Sequence, residues 1–275
     1  MSNFSVLMSI YRNTKLSELT QCLDSLFDQT VKSDDVVIVI DGAIPEDVDD
    51  YLTELIEEHN EIVIVRRSEN GGLGIALSDG LARCKNELVA RMDSDDICDP
   101  ERFELQLNEF EVRPDCSVIG GYITEFVNTP DNAVSLREVP TTHDDICEYL
   151  KRRCPFNHMT VMFKKSDVIS AGGYLPWFWN EDYYLWIRMY LAGFKFGNIA
   201  ASLVKVRTDE VMKRRGGLKY YRSERDIFKY MYRNKIIGFF AYSKAKFMRF
   251  ILYVMMPGGM RKWVYKKFAR KSLRN

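Results

Sequence analysis

Residues Glu87–Asp96, with the sequence ELVARMDSDD, join a short apolar run to a dense group of carboxylates. The apolar run predicts a strand buried in a sheet that helices cover. Three carboxylates follow within four residues, at Asp93, Asp95 and Asp96, before Asp99-Pro100 opens the next predicted helix. Carboxylates this close repel one another unless a cation or solvent screens them. The stretch therefore indicates a divalent-cation site at a strand end, with a solvated acidic turn as the simpler alternative.

Strand and helix patterns alternate through the first 92 residues. The strand patterns are Phe4–Ile10, Val36–Ile40, Ile62–Val65 and Glu87–Met92. The helical patterns are Lys15–Gln29, a segment from Pro45 or Glu46 to about His59, and Leu73–Cys84. Strands separated by helices of this length form right-handed βαβ units with a parallel sheet. The predicted fold is α/β and Rossmann-like, with a mostly parallel sheet flanked by helices.

Length and cysteine usage limit the class of protein. The 275 residues fit one large α/β domain, or a domain with an appendage. The six cysteines form no CxxC pair, and no signal peptide pattern precedes the first strand. No apolar run approaches the roughly 20 residues that span a bilayer. We therefore expect free thiols in a cytoplasmic protein.

The net charge of zero conceals two different regions. Residues 227–275 hold thirteen Lys and Arg but no Asp or Glu. The first 226 residues therefore hold 39 − 13 = 26 basic residues against 39 acidic ones, a balance of −13. We predict one domain over 1–226 and a basic, amphipathic helical tail over 227–275.

The tail interleaves its cations with aromatic and aliphatic side chains such as Phe239-Phe240, Phe247 and Trp263. Basic amphipathic helices of this kind bind anionic membrane surfaces. Nucleic-acid binding meets the same charge criterion, but no recognition motif accompanies it. Helices that pack on the first domain and expose a basic face are the other alternative.

The sequence does not match three common ligand-binding motifs. Gly72-Leu73-Gly74 suggests a dinucleotide fingerprint, but Leu77 occupies the third glycine position, and the turn follows the third strand. No GK[ST] sequence forms a phosphate-binding loop. A calcium loop starting at Asp93 fails because Ile97 and Cys98 stand at its fifth and sixth positions, and the sixth must turn sharply. The glycines remain as a turn that requires a permissive backbone.

Five motifs in order resemble the GT-A glycosyltransferases of family 2. They are Ser9–Asn13 (SIYRN), Val39–Gly42 (VIDG), Asn70–Leu73 (NGGL), Ala90–Asp96 (ARMDSDD) and Asn180–Trp186 (NEDYYLW). More narrowly, the chain is similar to the bacterial enzymes that extend capsule, O-antigen or exopolysaccharide repeat units, including beta-1,3-galactosyltransferases with lipid-linked acceptors. The resemblance covers about residues 4–225. Ile40 departs from the usual Asp-Asp-Gly, and the QxxRW signature of processive synthases is absent.

This resemblance implies a donor site for a UDP-sugar. Asp41 would bind the uracil or ribose, and Ser9 and Tyr11 would hold the nucleotide. Asp93 would bind the ribose or the metal, and Asp95 would ligate Mn²⁺ or Mg²⁺. The complete implied donor set is Ser9, Tyr11, Asp41, Asn70, Gly71, Asp93, Asp95, Arg214 and Arg215.

In the second half of the chain, the resemblance implies residues that contact the acceptor. In the resemblance, the second acid of Glu181-Asp182 is the catalytic base, so Asp182 would remove the proton of the acceptor hydroxyl. Both acids also suit a helix N-terminus, which is the simpler explanation. His158, Glu181 and Trp186 are further candidates for contact with the acceptor or diphosphate, although a lone histidine is more often structural. The polar stretch Asn128–Thr142 predicts a loop.

The implied function is inverting transfer of a hexose, with galactose as the best match, from a UDP-sugar to a saccharide on a polyprenyl diphosphate. The protein would lie at the inner face of a bacterial plasma membrane, without a nucleic-acid partner. A nucleotidyltransferase is the first alternative, but it needs a basic loop, for which Arg12–Lys15 is a poor candidate. A non-catalytic membrane or nucleic-acid-binding module is the second alternative.

Overall fold

The computed structural model describes residues 3–208, 216–257, 259–261 and 270–273. Its strands are β1 (Phe4–Ile10), β2 (Asp35–Asp41), β3 (Ile62–Arg67), β4 (Leu88–Arg91), β5 (Ile97–Cys98), β6 (Cys116–Phe126), β7 (Ala133–Arg137), β8 (Met162–Lys164), β9 (Lys195–Arg207) and β10 (Lys271–Ser272). Its helices are α1 (Leu16–Phe27), α2 (Glu46–Glu58), α3 (Leu73–Arg83), α4 (Arg102–Val112), α5 (His143–Leu150), α6 (Lys165–Ser170), α7 (Glu181–Leu191), α8 (Gly217–Arg233) and α9 (Phe239–Phe250). A 3₁₀ turn spans His158–Thr160, and a π-helical turn, Ile251–Met255, continues α9.

The N-terminal half forms the parallel sheet that its alternating pattern predicts. The strand order is β4-β1-β2-β3, and each neighbouring pair is parallel. Apolar side chains of β1 and β2 point alternately into two hydrophobic cores. One core includes residues of α1, α2 and α4, and the other includes residues of α3, α5 and α7. Because β4, β1 and β2 run in the same direction, their carboxyl ends share one edge of the sheet.

An antiparallel extension widens the sheet beyond β4. Strand β8 pairs antiparallel with both β4 and β6, and the long strand β9 runs parallel to β6. The loop predicted over 128–142 is partly wrong, because it contains β7, which pairs with β6. This short strand pairs with β6 through its backbone, and Ser135 Oγ also donates to Glu125 Oε2 at 2.5 Å, a contact that local composition does not reveal.

The described part of the C-terminal region contacts the sheet and the second hydrophobic core. Helix α8 crosses residue 227, where the charge composition changes, and Ile227 and Phe228 are buried in the core. Beyond α9, strand β10 pairs with β7, and Arg270 forms a buried ion pair with Glu125 at 2.6 Å. None of the helices in the described ranges combines the length and apolarity needed to cross a bilayer.

Candidate active site

The carboxyl edge of β4, β1 and β2 carries most of the predicted donor residues. Ser9 is the penultimate residue of β1, and Tyr11 follows that strand directly; both are half-buried. Asp41 ends β2, and Asp93 lies two residues beyond β4. The structure therefore brings these predicted residues to one edge, where ligands bind in open α/β sheets.

Asp41 holds the glycine-rich turn. Its buried carboxylate accepts hydrogen bonds from the backbone N–H groups of Gly71 at 2.8 Å and Gly72 at 2.9 Å, and from Arg67 Nε at 3.0 Å. The Asn70 side chain donates in return to the Asp41 carbonyl at 3.0 Å. Both oxygens of the carboxylate thus have protein partners. Asp41 has a structural role in addition to the nucleotide contact that the resemblance implies.

A cluster of three carboxylates follows β4. One oxygen from each of Asp93, Asp95 and Asp96 lies within 4.8 Å of the others. Asp95 is exposed as a whole residue, but its carboxylate is surrounded by protein atoms. Desolvation of this carboxylate, and then the charge of Asp93, raise the pKa of Asp95 to about 6. Burial, followed by the charge of Asp95, raises the pKa of Asp96 well above its usual range. Oxygen ligands under mutual repulsion suit a hard divalent cation, so these residues fit Mn²⁺ or Mg²⁺.

Arg207 ties this acidic loop to β9. Its backbone N–H donates to Asp96 Oδ1 at 3.1 Å, and its Nε donates to the carbonyl of Asp95 at 3.2 Å. Its Nη2 also donates to Gln21 on α1 at 2.7 Å. The motifs gave no indication of this residue, because the contact joins positions more than 110 residues apart. Asp96 therefore lies in the cluster and also supports the loop.

Arg91 lies beneath the cluster and is almost completely buried, with 2% of its surface exposed. Its Nη2 donates to Asp93 Oδ1, whereas Nε and Nη1 find no hydrogen-bond partner in the described part of the chain. Burial alone would lower the pKa of Arg91, but the charge and hydrogen bond of Asp93 outweigh it and leave that pKa raised. A permanent cation thus faces the carboxylates. The sequence offered one sign of this role, because Arg91 is a charged residue at the end of a predicted buried strand.

Glu181 and Asp182 begin α7, as predicted, and come close to the glycine-rich turn. A Cβ atom on Gly74 would lie 2.9 Å from the Leu175 carbonyl and 3.3 Å from Glu181 Cβ, so this glycine permits the approach of α3 to α7. Burial, and then the charge of Asp182, raise the pKa of Glu181 to about 7. The two acids therefore face the same site as the donor edge, with Glu181 toward α3.

Cys154 contacts the predicted base from the opposite side. Its Sγ lies 3.5 Å from Asp182 Oδ2 and 3.6 Å from the Phe156 carbonyl. Burial and the charge of Asp182 raise the pKa of Cys154 well above its usual range, so the thiol keeps its proton and can donate it. Sequence spacing gave no signal for this contact.

His158 and Trp186 are core residues rather than open walls of the site. His158 Nε2 is hydrogen-bonded to Tyr174 Oη at 2.9 Å. Burial, and then the charge of Arg91, hold the pKa of His158 well below its usual range, so its ring is neutral. Trp186 is fully buried and packs on Phe156, with ring centroids 5.2 Å apart. The helix turns the Trp186 ring inward, so the contact of Trp186 with the acceptor or diphosphate gains no support and stays a prediction. Arg214 and Arg215 lie outside the described residues, and their donor role stays a prediction.

Comparison with known proteins begins with the family model named Glycosyl transferase family 2, which matches residues 5–168. An uncharacterized glycosyltransferase of Haemophilus influenzae is 39% identical over 98% of this chain and 99% of its own length. The amylovoran biosynthesis glycosyltransferase AmsE of Erwinia amylovora is 38% identical over 96% of this chain and 98% of its own. The UDP-Gal:alpha-D-GlcNAc-diphosphoundecaprenol beta-1,3-galactosyltransferase of Escherichia coli is 34% identical over 98% of both chains.

Solved structures give the fold. The crystal structure of S. aureus TarS 1–349 in complex with UDP has a TM-score of 0.65, with 17% identity over 93% of this chain and 74% of that one. The complex with UDP-GlcNAc has a TM-score of 0.64, with 17% identity over 90% and 72%. This likeness confirms the predicted GT-A fold. The family match over more than half of the sequence, and relatives aligned along nearly its whole length, establish that this chain belongs to glycosyl transferase family 2.

Proposed function

We propose that the chain is a metal-dependent, inverting glycosyltransferase that moves a hexose from a UDP-sugar to a saccharide on a polyprenyl diphosphate. The observation that carries the proposal is the carboxylate cluster Asp93–Asp96 facing the acidic start of α7, with Arg91 between them in electrostatic contact with both. Galactose and a GlcNAc acceptor are the specific choice. The name of the E. coli relative, a beta-1,3-galactosyltransferase that uses GlcNAc-diphosphoundecaprenol, supports this choice.

The donor would lie along the edge of β4, β1 and β2. Ser9 and Tyr11 are half-buried there, so a hydroxyl and an aromatic ring remain within reach of a nucleotide. The turn that Asp41 holds presents a compact backbone surface beside them. S. aureus TarS, which has a similar fold, was solved in complex with UDP, and this supports a uridine nucleotide as part of the donor.

Asp93 and Asp95 would hold Mn²⁺ or Mg²⁺, and Asp96 lies close enough to contribute. The ion would offset the charge that develops on the departing diphosphate, which is Lewis-acid assistance. The chain's own residues prepare that position. Arg207 fixes the loop through the Asp95 carbonyl and Asp96, and Arg91 holds one oxygen of Asp93.

Asp182 would act as the general base. As it takes the proton of the acceptor hydroxyl, the acceptor oxygen bonds to C1 of the sugar on the face opposite the diphosphate. The bond from C1 to the diphosphate oxygen breaks, and UDP leaves with that electron pair. One displacement inverts C1, so one base suffices without a covalent intermediate. The neighbouring Cys154 thiol supports Asp182 in this role, because it orients one carboxylate oxygen.

Glu181 is the rival base, because a pKa of about 7 suits proton transfer at neutral pH. The direction in which the Glu181 side chain points argues against this role. Successive residues on a helix point roughly 100° apart. Glu181 packs against Gly74 on the donor side, whereas Asp182 contacts Cys154 on the other side. We therefore assign Asp182 to the acceptor.

A lipid-linked acceptor is anchored in a membrane, so an enzyme that uses it must act at the membrane surface. We propose that the protein is peripheral at the inner face of the plasma membrane, in keeping with thirteen cations and no acids over residues 227–275.

The experiment that tests the function is a product assay with purified protein, Mn²⁺, UDP-galactose and a synthetic GlcNAc-diphosphate-lipid. We expect UDP release that depends on the acceptor and a product with one added β-linked galactose. UDP-glucose and UDP-GlcNAc serve as competing donors, and a reaction without acceptor measures hydrolysis. Release of pyrophosphate from a nucleoside triphosphate and a sugar phosphate would instead identify a nucleotidyltransferase. No product with any donor would reject the proposed transfer.

A further inference from the structure

Helix α9 is held to the rest of the protein by one face. Tyr242 and Ala245 pack against the second hydrophobic core. Arg249, on the same side, donates to Glu224 Oε2 at 2.8 Å and to the Arg152 carbonyl at 2.8 Å. These contacts fix the rotation of the helix about its axis, and therefore fix which side chains point outward.

The opposite face presents aromatic side chains to solvent. Phe240 is 86% exposed and Phe247 is 64% exposed. They lie seven residues apart with Lys244 between them, so the three form one line along the helix, which we call the outward stripe. Phe239 and Met248, at 58% and 55% exposed, flank it. Exposed apolar side chains that form a continuous patch mark a surface that binds a partner or a membrane.

The charge around the outward stripe identifies the class of partner. Lys244 within the stripe and Lys246 on the same helix are exposed, and residues 227–275 contain no Asp or Glu to oppose them. Aromatic side chains together with lysines, without acids, match the interface of an anionic bilayer, where rings enter the acyl boundary and ammonium groups meet phosphates. A protein partner would bring hydrogen-bonding contacts that this stripe, formed by two phenylalanines and one lysine, does not match.

We propose that the outward stripe inserts into the headgroup region of an anionic lipid bilayer, so that binding depends on aromatic insertion as well as charge. The inference deepens the proposed function and rests on it for the lipid-linked acceptor. The inner face of the same helix leads toward the acceptor side. Arg249 holds the carbonyl of Arg152, two residues before Cys154, which contacts Asp182. Docking through α9 thus brings the acceptor side of the site toward the surface that carries the acceptor.

The test uses the full chain and vesicles of phosphatidylcholine with and without phosphatidylglycerol. We expect Phe240→Ser/Phe247→Ser to weaken partition into anionic vesicles by roughly tenfold or more, because each buried aromatic ring contributes strongly. Lys244→Glu/Lys246→Glu should weaken it mainly at low salt. Val112→Ser/Ile169→Ser is the matched control, because both residues are exposed and apolar but lie on other helices. This control should partition like the wild type.

Unchanged partition of the Phe240→Ser/Phe247→Ser protein would overturn the proposal. So would a change from dimer to monomer in that variant, measured by light scattering, because the stripe would then cover a second copy. If the full chain does not bind vesicles but a chain without residues 262–275 does, the C-terminal end covers the stripe. This outcome also contradicts the proposal.

Transfer to a short-chain, water-soluble acceptor separates the two claims. If the aromatic variant loses vesicle binding but transfers to this acceptor normally, both claims stand. If no acceptor is glycosylated and vesicle binding still depends on the stripe, the proposed transfer fails while the membrane surface stands. Far-ultraviolet circular dichroism shows whether each variant is folded.

Discussion

Arg91, almost completely buried beneath the acidic cluster, donates a hydrogen bond from Nη2 to Asp93 Oδ1. The same guanidinium lowers the pKa of Asp95, Asp96 and Glu181, in each case against the larger effect of burial. One buried cation thus orients a predicted metal ligand and keeps neighbouring acids closer to ionisation. Arg91 is a positioning residue for both halves of the proposed mechanism.

We expect Arg91→Met to weaken Mn²⁺ binding near neutral pH, because Arg91 would no longer offset the burial that favours protonation of Asp95 and Asp96 and would no longer hold Asp93 Oδ1 in place. Without the cation, the acids hold their protons to higher pH, so the pH at which Mn²⁺ binding is half-maximal should rise. Calorimetric titration with Mn²⁺ at several pH values measures both effects. Arg91→Lys keeps the charge and should restore the pH dependence more than the affinity. Wild-type metal binding in Arg91→Met would contradict this role.

Asp95→Ala should nearly abolish transfer, because Asp95 belongs to a carboxylate cluster that fits a divalent cation. EDTA should do the same to the wild type, and Mn²⁺ should restore activity. Asp131→Ala, at an exposed acid in the turn between β6 and β7, is the control and should remain active. Full activity in EDTA would remove the metal from the mechanism.

Asp182→Asn retains the size of the side chain but removes the proton acceptor. We expect turnover to fall by roughly 10²–10⁴-fold, the usual range for general-base catalysis, with UDP-sugar binding nearly unchanged. Glu181→Gln should cost less, and Cys154→Ser should retain more activity than Cys154→Ala because a hydroxyl also donates to Asp182. Single-turnover kinetics and calorimetry separate chemistry from binding. An inactive Glu181→Gln beside an active Asp182→Asn would reverse the assignment.

The raised pKa of Glu181 also predicts how the stability of the protein depends on pH. The pKa of Glu181 in the folded protein is about 7, above the value of about 4.5 in an unfolded chain. The folded state therefore favours the protonated acid, and the free energy of unfolding falls as the pH rises between these two values. Glu181→Gln removes this loss, so it should stabilise the metal-free protein by on the order of 2 kcal/mol near pH 8 and by little near pH 5.

Thermal unfolding at both pH values measures the effect of Glu181→Gln. Glu54→Gln, on the exposed face of α2, should leave the melting temperature unchanged at each pH. Equal melting temperatures for wild type and Glu181→Gln near pH 8 would show that the acid is not strained in the folded state.

The sequence predicts the parallel half well because each strand there is a continuous apolar run. Strand β1 is predicted to the residue, and the predicted β2 and β4 ends differ from the observed ones by one residue. The strand β7 is missed, because a five-residue strand with polar residues has no period that separates it from a loop.

The site shows the same division between local and distant information. Asp93, Asp95 and Asp182 lie where their motifs predict, at a strand end and a helix start. The supporting contacts of Cys154 and Arg207 depend on segments that are distant in sequence, which no local pattern encodes. The burial of Trp186 was not predictable either, because a helical pattern does not state which face of the helix meets the core.

Gly74 provides the last prediction, because it sets the distance between the donor turn and the acidic start of α7. A methyl group there would meet the Leu175 carbonyl at 2.9 Å, and backbone cannot rotate away as a side chain can. Gly74→Ala should therefore displace Glu181 and Asp182, and a displacement of about 1 Å can reduce turnover on the order of 10²-fold. The melting temperature should change little, because alanine favours a helix over glycine by about 1 kcal/mol and offsets the strain.

Gly80→Ala is the matched control in the same helix. Its Cβ would lie 2.5 Å from Leu7 Cδ1 and 2.5 Å from Val39 Cγ2, both in the buried sheet and away from the site. This variant should lose stability by roughly 1–3 kcal/mol through overpacking, yet its folded fraction should keep near-normal turnover. Melting temperature and turnover thus respond in opposite ways in the two variants. Normal turnover in Gly74→Ala would mean that the approach of α3 to α7 does not position the base.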